Sequence, residues 1–363
     1  MRPGDAARPA GDNRDMPDTA ELVAAAREAV YAAGRICKMI QSSKNALREI
    51  VKDDDSPVTV ADFASQAIVA YILAERLGMR LSGPDALRLV GEETSAYLRN
   101  PQHGAQLAAT LAAVQEFWPE CDEQSLLDAV DCGAGDPDHA EFWTLDPIDG
   151  TKGFIRGGQY CVALAYIYHG EPIIAAMACP NLSRDFSRPP DEPDPHGTIY
   201  LAVRGGDSTT PFGLWELPGD DPKAEPLLIR RMEHADGDPI TVCAPLDPGH
   251  ADQEATNRII SRLGSVREPI RMDSQCKYAV VGRGQADAYI RLPRRRDYVE
   301  RIWDHAAGAL IAMEGGCLVS DASGAPLDFG QGRGLEKNRG IVVAPPRLHG
   351  RIVEEIRREG VGG

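Results

Sequence analysis

The chain has 363 residues, and its 39 Lys and Arg residues against 55 Asp and Glu residues give a formal net charge of -16 at pH 7. This acidic balance argues against a general nucleic-acid binder or a binder of anionic membranes, because both need a basic surface. Hydrophobic residues make up 43% of the chain and charged residues 26%, which is typical of a globular protein. The length suggests two domains or one large α/β unit. A small phosphorylated ligand fits this charge only if local cations offset the repulsion.

The cysteines and the first residues indicate the cellular setting. The eight cysteines are scattered without a C-x-x-C pair, and no signal peptide or long apolar stretch precedes them. We therefore expect reduced thiols and a cytoplasmic protein. Residues 1–17 are rich in Gly, Pro, Asp and Arg and lack apolar periodicity, which predicts a disordered tail.

Helical spacing of apolar residues predicts a first helix around residues 21–31 and a second over residues 63–77. Asp62 then stands at the N-terminus of the second helix. A short apolar run, residues 87–90, predicts a strand that ends just before Glu92.

In the middle of the chain, the sequence predicts strands separated by turn-rich segments. A strand over 141–145 runs into an acidic turn, and residues 160–168 and 173–177 predict a hairpin. Turn-forming residues dominate 184–197 and 205–237, so we place a domain boundary near residue 237. This gives an α+β domain over 18–237 and an α/β domain over 238–363. The second domain alternates strands and helices, with strands near 240–243, 286–292, 317–319 and 340–343, and helices near 252–263, 304–313 and 347–357.

Acidic residues stand at four places where a predicted strand or loop meets a turn or a helix start. They are Asp62, Glu92, the pair Asp146 and Asp149, and Asp304. Mg²⁺ prefers carboxylate oxygens and shares phosphate oxygens with its substrates, so this placement predicts a metal site. Each position also has an ordinary interpretation when taken alone, as a helix cap or a solvated carboxylate.

The string Asp146-Pro147-Ile148-Asp149-Gly150-Thr151 is the most specific of these motifs. Pro147 restricts the backbone between the two carboxylates, and Gly150 permits close approach to an anion. The hydroxyl of Thr151 and nearby N–H groups can meet a phosphate. An isolated D-x-x-D is usually a turn, but the complete string is rare by chance.

Four strings, in this order, resemble the lithium-sensitive, magnesium-dependent inositol monophosphatase superfamily. They are Val58-Thr59-Val60-Ala61-Asp62, Gly91-Glu92-Glu93-Thr94, the Asp146–Thr151 string with Lys152-Gly153-Phe154, and Trp303-Asp304-His305-Ala306-Ala307-Gly308. Within it, the chain is most similar to the 3'(2'),5'-bisphosphate nucleotidases. The evidence is Lys152-Gly153-Phe154, the long insert between Glu92 and Asp146, and the strings Asp273–Tyr278 and Tyr289–Pro293.

The resemblance implies a fold and a set of residue roles. The fold would be the layered α-β-α-β-α sandwich of the sugar phosphatase type, with the site in the cleft between the two domains. Two or three Mg²⁺ ions would be bound by Glu92, Asp146, Asp149, Asp304 and the carbonyl of Ile148. Asp62 and Thr151 would form the catalytic dyad that deprotonates the attacking water. Substrate contacts would come from Thr151, His250, Ser274, Lys277 and Arg291.

The implied function is Mg²⁺-dependent hydrolysis of the 3'-phosphate of adenosine 3',5'-bisphosphate, with 3'-phosphoadenylyl sulfate as a second candidate substrate and a role in sulfur metabolism. No nucleic-acid polymer and no membrane is expected as a partner. Two alternatives stay open: a phosphatase for inositol phosphates or another small phosphomonoester, and a non-catalytic nucleotide-sensing relative. Lys277 and Arg291 also have an interpretation as solvated charges, and His250 as a loop residue.

Overall fold

The computed structural model describes residues 19–43, 50–51, 57–204, 213–232, 237–246, 252–293, 295 and 297–360. The predicted tail, residues 1–17, and the predicted nucleotide contact His250 lie outside the described residues.

Two helices form the first outer layer. They are α1 (Thr19–Ser42) and α2 (Val60–Leu77). Ala25, Ala29 and Ala33 of α1 are buried, and such small side chains allow the helix to approach α2 and the sheet closely. Helix α2 ends at Gly78, whose φ of 63° is the left-handed conformation that glycine adopts readily.

A seven-stranded sheet forms the second layer, in the order β3-β4-β5-β6-β7-β8-β9. Strands β3 and β4 are parallel, and the other neighbours are antiparallel. The strands are β3 (Leu89–Gly91), β4 (Glu141–Asp149), β5 (Cys161–Tyr168), β6 (Glu171–Cys179), β7 (Thr198–Val203), β8 (Gly213–Pro218) and β9 (Leu227–Leu228). A small ribbon of β1 (Ile50–Val51) and β2 (Pro57–Val58) precedes α2, and α3 (Gly104–Gln115), α4 (Glu123–Asp131) and α5 (Thr151–Arg156) lie between strands.

The remaining layers come from the C-terminal part of the chain. A five-stranded sheet has the order β11-β10-β12-β14-β13. Helix α8 packs between the two sheets and is buried along residues 306–312, as expected of a helix that is apolar all round. The elements are β10 (Val242–Ala244), α6 (Gln253–Ser261), β11 (Ile270–Arg271), α7 (Cys276–Gly282), β12 (Ala288–Arg291), α8 (Ala306–Glu314), β13 (Leu318–Ser320), β14 (Ile341–Ala344) and α9 (Pro346–Glu359).

The layer order is therefore α1 and α2, seven-stranded sheet, α7 and α8, five-stranded sheet, α6 and α9. This confirms the predicted α-β-α-β-α sandwich. The division into domains at residue 237 stays a prediction. All eight cysteines are free thiols and buried. No helix within the described residues is long and apolar enough to cross a membrane.

Two local predictions need correction. The helix predicted from residue 304 begins at Ala306, with His305 at the N-cap position, so Asp304 lies in the preceding turn and does not cap the helix. Strand β7 was not among the predicted strands. All six of its residues are buried, so it lacks the alternation of polar and apolar residues that marks a half-exposed strand.

Candidate active site

A cavity of about 280 Å³ brings together most of the acidic and basic residues that the sequence singled out, but the buried Asp62 is not part of its lining. The predicted site residues in its lining are Glu92, Asp146, Ile148, Asp149, Thr151, Ser274, Lys277, Arg291 and Asp304. They come from both sheets and from the helices between them. Residues separated by more than two hundred positions therefore meet in one place.

The parallel pairing of β3 and β4 places Glu92 beside Asp146. Gly91 pairs with Leu145, and the backbone N–H of Glu92 donates to the carbonyl of Leu145 at 3.2 Å. Because the carboxyl ends of parallel strands meet at one sheet edge, the two acidic residues that follow are neighbours. The pairing of β4 with β5 is then interrupted between Asp146 and Asp149, where Pro147 has no N–H to donate.

Gly150 and Thr151 connect this strand to α5. Gly150 has a φ of 89°, and a Cβ atom there would lie 3.0 Å from Cβ of Ser274, so a larger residue would press on the neighbouring loop. Thr151 begins α5, and its hydroxyl donates to the carbonyl of Ile148 at 3.2 Å.

Asp62 belongs to the N-terminal cap of α2. Its Oδ2 accepts hydrogen bonds from the backbone N–H of Thr59 at 2.7 Å and from the Thr59 hydroxyl at 2.8 Å. In return, Thr59 Oγ1 accepts from the N–H of Ala61 at 3.1 Å, which completes a capping box. Ser65 donates to the carbonyl of Pro147 at 2.8 Å and fastens this helix end to the acidic string.

The carboxylates raise one another's pKa values. Burial raises the pKa of Asp146 well above its usual range, and the charges of Glu92, Asp149, Asp304 and Asp62 add to this effect. Burial likewise raises the pKa of Asp304, together with the charges of Asp149 and Glu92. A set of crowded, buried carboxylates is a donor set that suits a hard divalent cation, because the cation removes the mutual repulsion.

Asp149 differs because it also has favourable partners. Burial raises its pKa, while the Lys277 ammonium and a hydrogen bond from the N–H of Gln275, at 2.7 Å, act in the opposite direction. Lys277 is itself buried and donates to the carbonyl of Ser274 at 2.6 Å. Ser274 has a φ of 71°, which is uncommon for a residue with a side chain and is maintained here by its surroundings.

A hydrogen-bonded network lies next to Asp304. The carboxylate of Glu300 accepts from Nε of Arg291 at 2.9 Å and from Nε2 of His305 at 3.1 Å. Nδ1 of His305 is 2.7 Å from the hydroxyl of Tyr278. Burial by itself raises the pKa of Glu300, but Arg291 and His305 outweigh it and lower that pKa to about 2.

Glu300, Asp304 and His305 have ligand-type atoms within 4.8 Å of one another. We nevertheless interpret Glu300 and His305 as a positioning network and not as metal ligands, because both use their polar atoms for Arg291, Tyr278 and each other. Of these residues, Asp304 and Arg291 line the cavity.

Residues 18–360 match the model of the inositol monophosphatase family. The chain belongs to this family. Family members are metal-dependent phosphatases, generally with Mg²⁺, which agrees with the crowded carboxylates of the cavity.

Curated relatives place the chain more narrowly within the family. A 3'(2'),5'-bisphosphate nucleotidase of Schizosaccharomyces pombe is 36% identical over 341 residues, covering 92% of both chains. A 3'(2'),5'-bisphosphate nucleotidase of Oryza sativa is 35% identical over 367 residues, covering 94% of both chains. These findings confirm the family and the subgroup that the sequence motifs indicated.

Similarity to a solved structure confirms the fold. The extragenic suppressor protein suhB from Bartonella henselae superposes with a TM-score of 0.59, covering 93% of this chain and 98% of that one. At 16% identity this similarity concerns the fold alone.

Sequence reasoning missed several residues that build the site of this family member. Gln66 is buried in α2, donates to the carbonyl of Glu93 at 2.7 Å and accepts from its N–H at 3.1 Å, which fixes the segment after Glu92. Arg333 donates to the carbonyl of Gly91, and its guanidinium lies 4.9 Å from the centre of the Trp303 ring. Gln66 had one signal, a polar residue within an apolar helical run, whereas Arg333 had none.

Proposed function

We propose that the protein is a Mg²⁺-dependent 3'(2'),5'-bisphosphate nucleotidase that converts adenosine 3',5'-bisphosphate to AMP and phosphate. The observation that carries the proposal is the composition of one cavity, whose lining contains five acidic residues as well as Lys277 and Arg291. The acidic residues suit a divalent cation, and the two basic residues suit the phosphates of a doubly phosphorylated nucleotide. The curated relatives bear the same activity in their names.

The proposed metal ligands are Glu92, Asp146, Asp149, Asp304 and the carbonyl of Ile148, for two or three Mg²⁺ ions. When bound, the metal supplies positive charge that polarises the phosphoryl group and lowers the pKa of water. The carboxylates of the chain would hold the metal ions in the acidic cavity.

We assign the proton transfer to Asp62 and Thr151. A threonine hydroxyl alone is a poor base, but it can accept a proton from water while it passes its own proton to a carboxylate. In the structure the Thr151 hydroxyl donates to the carbonyl of Ile148, so the proposed step requires this hydroxyl to rotate toward Asp62.

The substrate contacts in the proposal are Thr151, Ser274, Lys277 and Arg291, together with His250. Arg291 presents a planar guanidinium that can bind a phosphate with two hydrogen bonds, and Lys277 adds a compact positive charge. Ser274 can donate its hydroxyl to a phosphate oxygen. The net acidity of the chain makes a small nucleotide a better partner than a nucleic-acid polymer. A cytoplasmic location, consistent with the free thiols, is part of the proposal.

The decisive experiment compares substrates in the presence of Mg²⁺. We expect kcat/KM for adenosine 3',5'-bisphosphate to exceed that for inositol monophosphate by at least about tenfold, with AMP as the identified product. Chelation of the metal should abolish turnover, and millimolar Li⁺ should inhibit it. Preference for inositol phosphate would establish the first alternative, and phosphate release from either compound would exclude the non-catalytic one.

A further inference from the structure

Gln275 joins the two parts of the acidic cavity. Its side chain is 1% exposed. Nε2 donates to the carbonyl of Trp303 at 2.8 Å, and Oε1 accepts from the N–H of Gly308 at 2.9 Å. Its backbone N–H donates to Oδ2 of Asp149 at 2.7 Å. One residue therefore contacts Asp149 directly and contacts the chain on both sides of Asp304.

These hydrogen bonds connect carboxylates that belong to different layers. Asp149 ends β4 in the seven-stranded sheet, whereas Asp304 lies in the turn before α8. A carboxamide is suited to this place because it donates and accepts at the same time. An ionised carboxylate cannot donate, and an aliphatic side chain can do neither.

The backbone of residue 275 is itself held on both sides. The preceding Asp273 forms an ion pair with Arg156 of α5, and Oγ of Ser274 accepts from the N–H of Cys276 at 3.2 Å. This loop is anchored to α5 and to the start of α7. The side-chain carboxamide of Gln275 therefore holds the Trp303–Gly308 segment in a fixed position relative to the loop.

We propose that Gln275 is a positioning residue that sets the separation of Asp149 and Asp304 and thereby the affinity of the site for divalent cations. This inference rests on the metal site of the proposed function. It assigns to Gln275 a role different from that of its sequence neighbours Ser274 and Lys277, which are proposed to contact the nucleotide. Residues that orient metal ligands commonly change metal affinity by about 10- to 100-fold when they are replaced.

The alternative is that Gln275 is only a buried polar residue that contributes to stability. Gln285 provides a matched control, because its Nε2 also donates to backbone carbonyls of a distant segment, those of Phe186 at 2.7 Å and Arg188 at 3.3 Å. Gln285, Phe186 and Arg188 are all absent from the lining of the acidic cavity.

The test measures metal binding without nucleotide, by titration of the full chain with Mn²⁺ followed by electron paramagnetic resonance and by competition with Mg²⁺. We expect Gln275→Leu and the longer, less disruptive Gln275→Met to weaken binding by about 10- to 100-fold. Gln285→Leu should stay within about twofold of the parent protein, although it loses comparable hydrogen bonds. High Mg²⁺ should restore most of kcat in the Gln275 variants.

The inference is overturned if the Gln275 variants bind Mn²⁺ as the parent does, or if Gln285→Leu weakens binding equally. Unfolding in the presence of a chelator, measured for all variants, separates a loss of stability from a loss of metal affinity. Since the titration contains no nucleotide, an unexpected substrate would contradict the proposed function without affecting this result.

Discussion

The Asp62 carboxylate caps α2 and, in the proposed mechanism, also accepts a proton. Its Oδ2 accepts from the backbone and the hydroxyl of Thr59, and its charge contributes to the raised pKa of Asp146. An asparagine at this position can still accept the capping hydrogen bonds, but it cannot take up a proton.

We therefore expect Asp62→Asn to lower kcat by about 10²- to 10⁴-fold while the protein stays folded. The measurement is phosphate release under saturating substrate and Mg²⁺, with urea unfolding of the same preparation as the control. The free energy of unfolding should change by less than about 1 kcal/mol, because the capping hydrogen bonds remain. Activity within tenfold of the parent would contradict the assignment of Asp62 as the proton acceptor.

Glu300 illustrates how burial determines the loss of stability when one partner of an ion pair is removed. Its side chain is 3% exposed and that of its partner Arg291 is 16% exposed. In contrast, Arg295 and Asp297 pair at the surface, with side chains 76% and 69% exposed. Removing one charge of a buried pair leaves the other without compensation, whereas a surface pair contributes little.

Glu300→Gln should therefore destabilise the protein by about 3 kcal/mol and raise KM for the nucleotide, because Arg291 loses its anchor. The matched change Asp297→Asn should cost less than about 1 kcal/mol. Urea unfolding near neutral pH measures both. Since the pKa of Glu300 is lowered to about 2, its contribution is present above the ordinary glutamate pKa and is lost as pH falls toward 2. Equal effects of the two substitutions would contradict this interpretation.

At the scale of elements, the long periodic segments were predictable, as were some short strands such as β3 and β10, whereas other short elements were not. The apolar spacing of α1 and α2 and the Gly78 stop are visible in the sequence. Helix α5 and strand β11 were not predicted. With six and two residues respectively, they have too few positions to show a period, and contacts with the rest of the fold determine them.

The candidate site likewise contains residues that could be predicted from the sequence and residues that could not. The acidic positions and Thr151 follow from short motifs, each located at the end of an element that could be predicted. The parts supplied by Gln275, Glu300 and Arg333 depend on contacts between segments far apart in the sequence. A single buried Gln or Glu has no local pattern that distinguishes it from a surface residue, so the sequence could not indicate these partners.

The cap of α2 gives a test at the element scale. Thr59→Ala removes the acceptor for the N–H of Ala61 and the hydroxyl that donates to Asp62. We expect a loss of about 1 kcal/mol in the free energy of unfolding, measured by urea denaturation. Thr59→Ser keeps the hydroxyl and should restore most of this loss. If the alanine and serine variants are equally stable, the capping box does not contribute as described.

At the scale of the whole molecule, the acidic cavity connects the stability of the sandwich to pH and metal. The pKa values of Asp146 and Asp304 are raised in the folded chain, so their stabilising effect is complete below the ordinary aspartate pKa. That effect is lost as pH rises through the raised folded-state pKa values, where the charged carboxylates repel one another. The metal-free protein should therefore become less stable as pH rises above the ordinary aspartate pKa.

Mg²⁺ should reverse this trend, because at the proposed site it would bind the deprotonated carboxylates and compete with protons. The stabilisation by Mg²⁺ should grow with pH and reach about 2.7 kcal/mol when its concentration is 100 times the dissociation constant. Calorimetric melting with Mg²⁺ or a chelator, over a pH series, measures this. Asp146→Asn is the control and should flatten the pH dependence of the metal-free form. A stabilisation by Mg²⁺ that is independent of pH would argue against metal binding by these carboxylates.

Because all eight cysteines are buried, the reactivity of their thiols can be used to measure local opening of the structure. A thiol-alkylating reagent in solution reaches a sulfur atom only when the covering layer separates, so each labelling rate records one opening reaction. Cys37 lies in the outer helical layer, Cys161 and Cys179 in the large sheet, and Cys243 in the small one. Mass spectrometry of the labelled peptides would thus show the order in which the layers come apart, with no engineered probe.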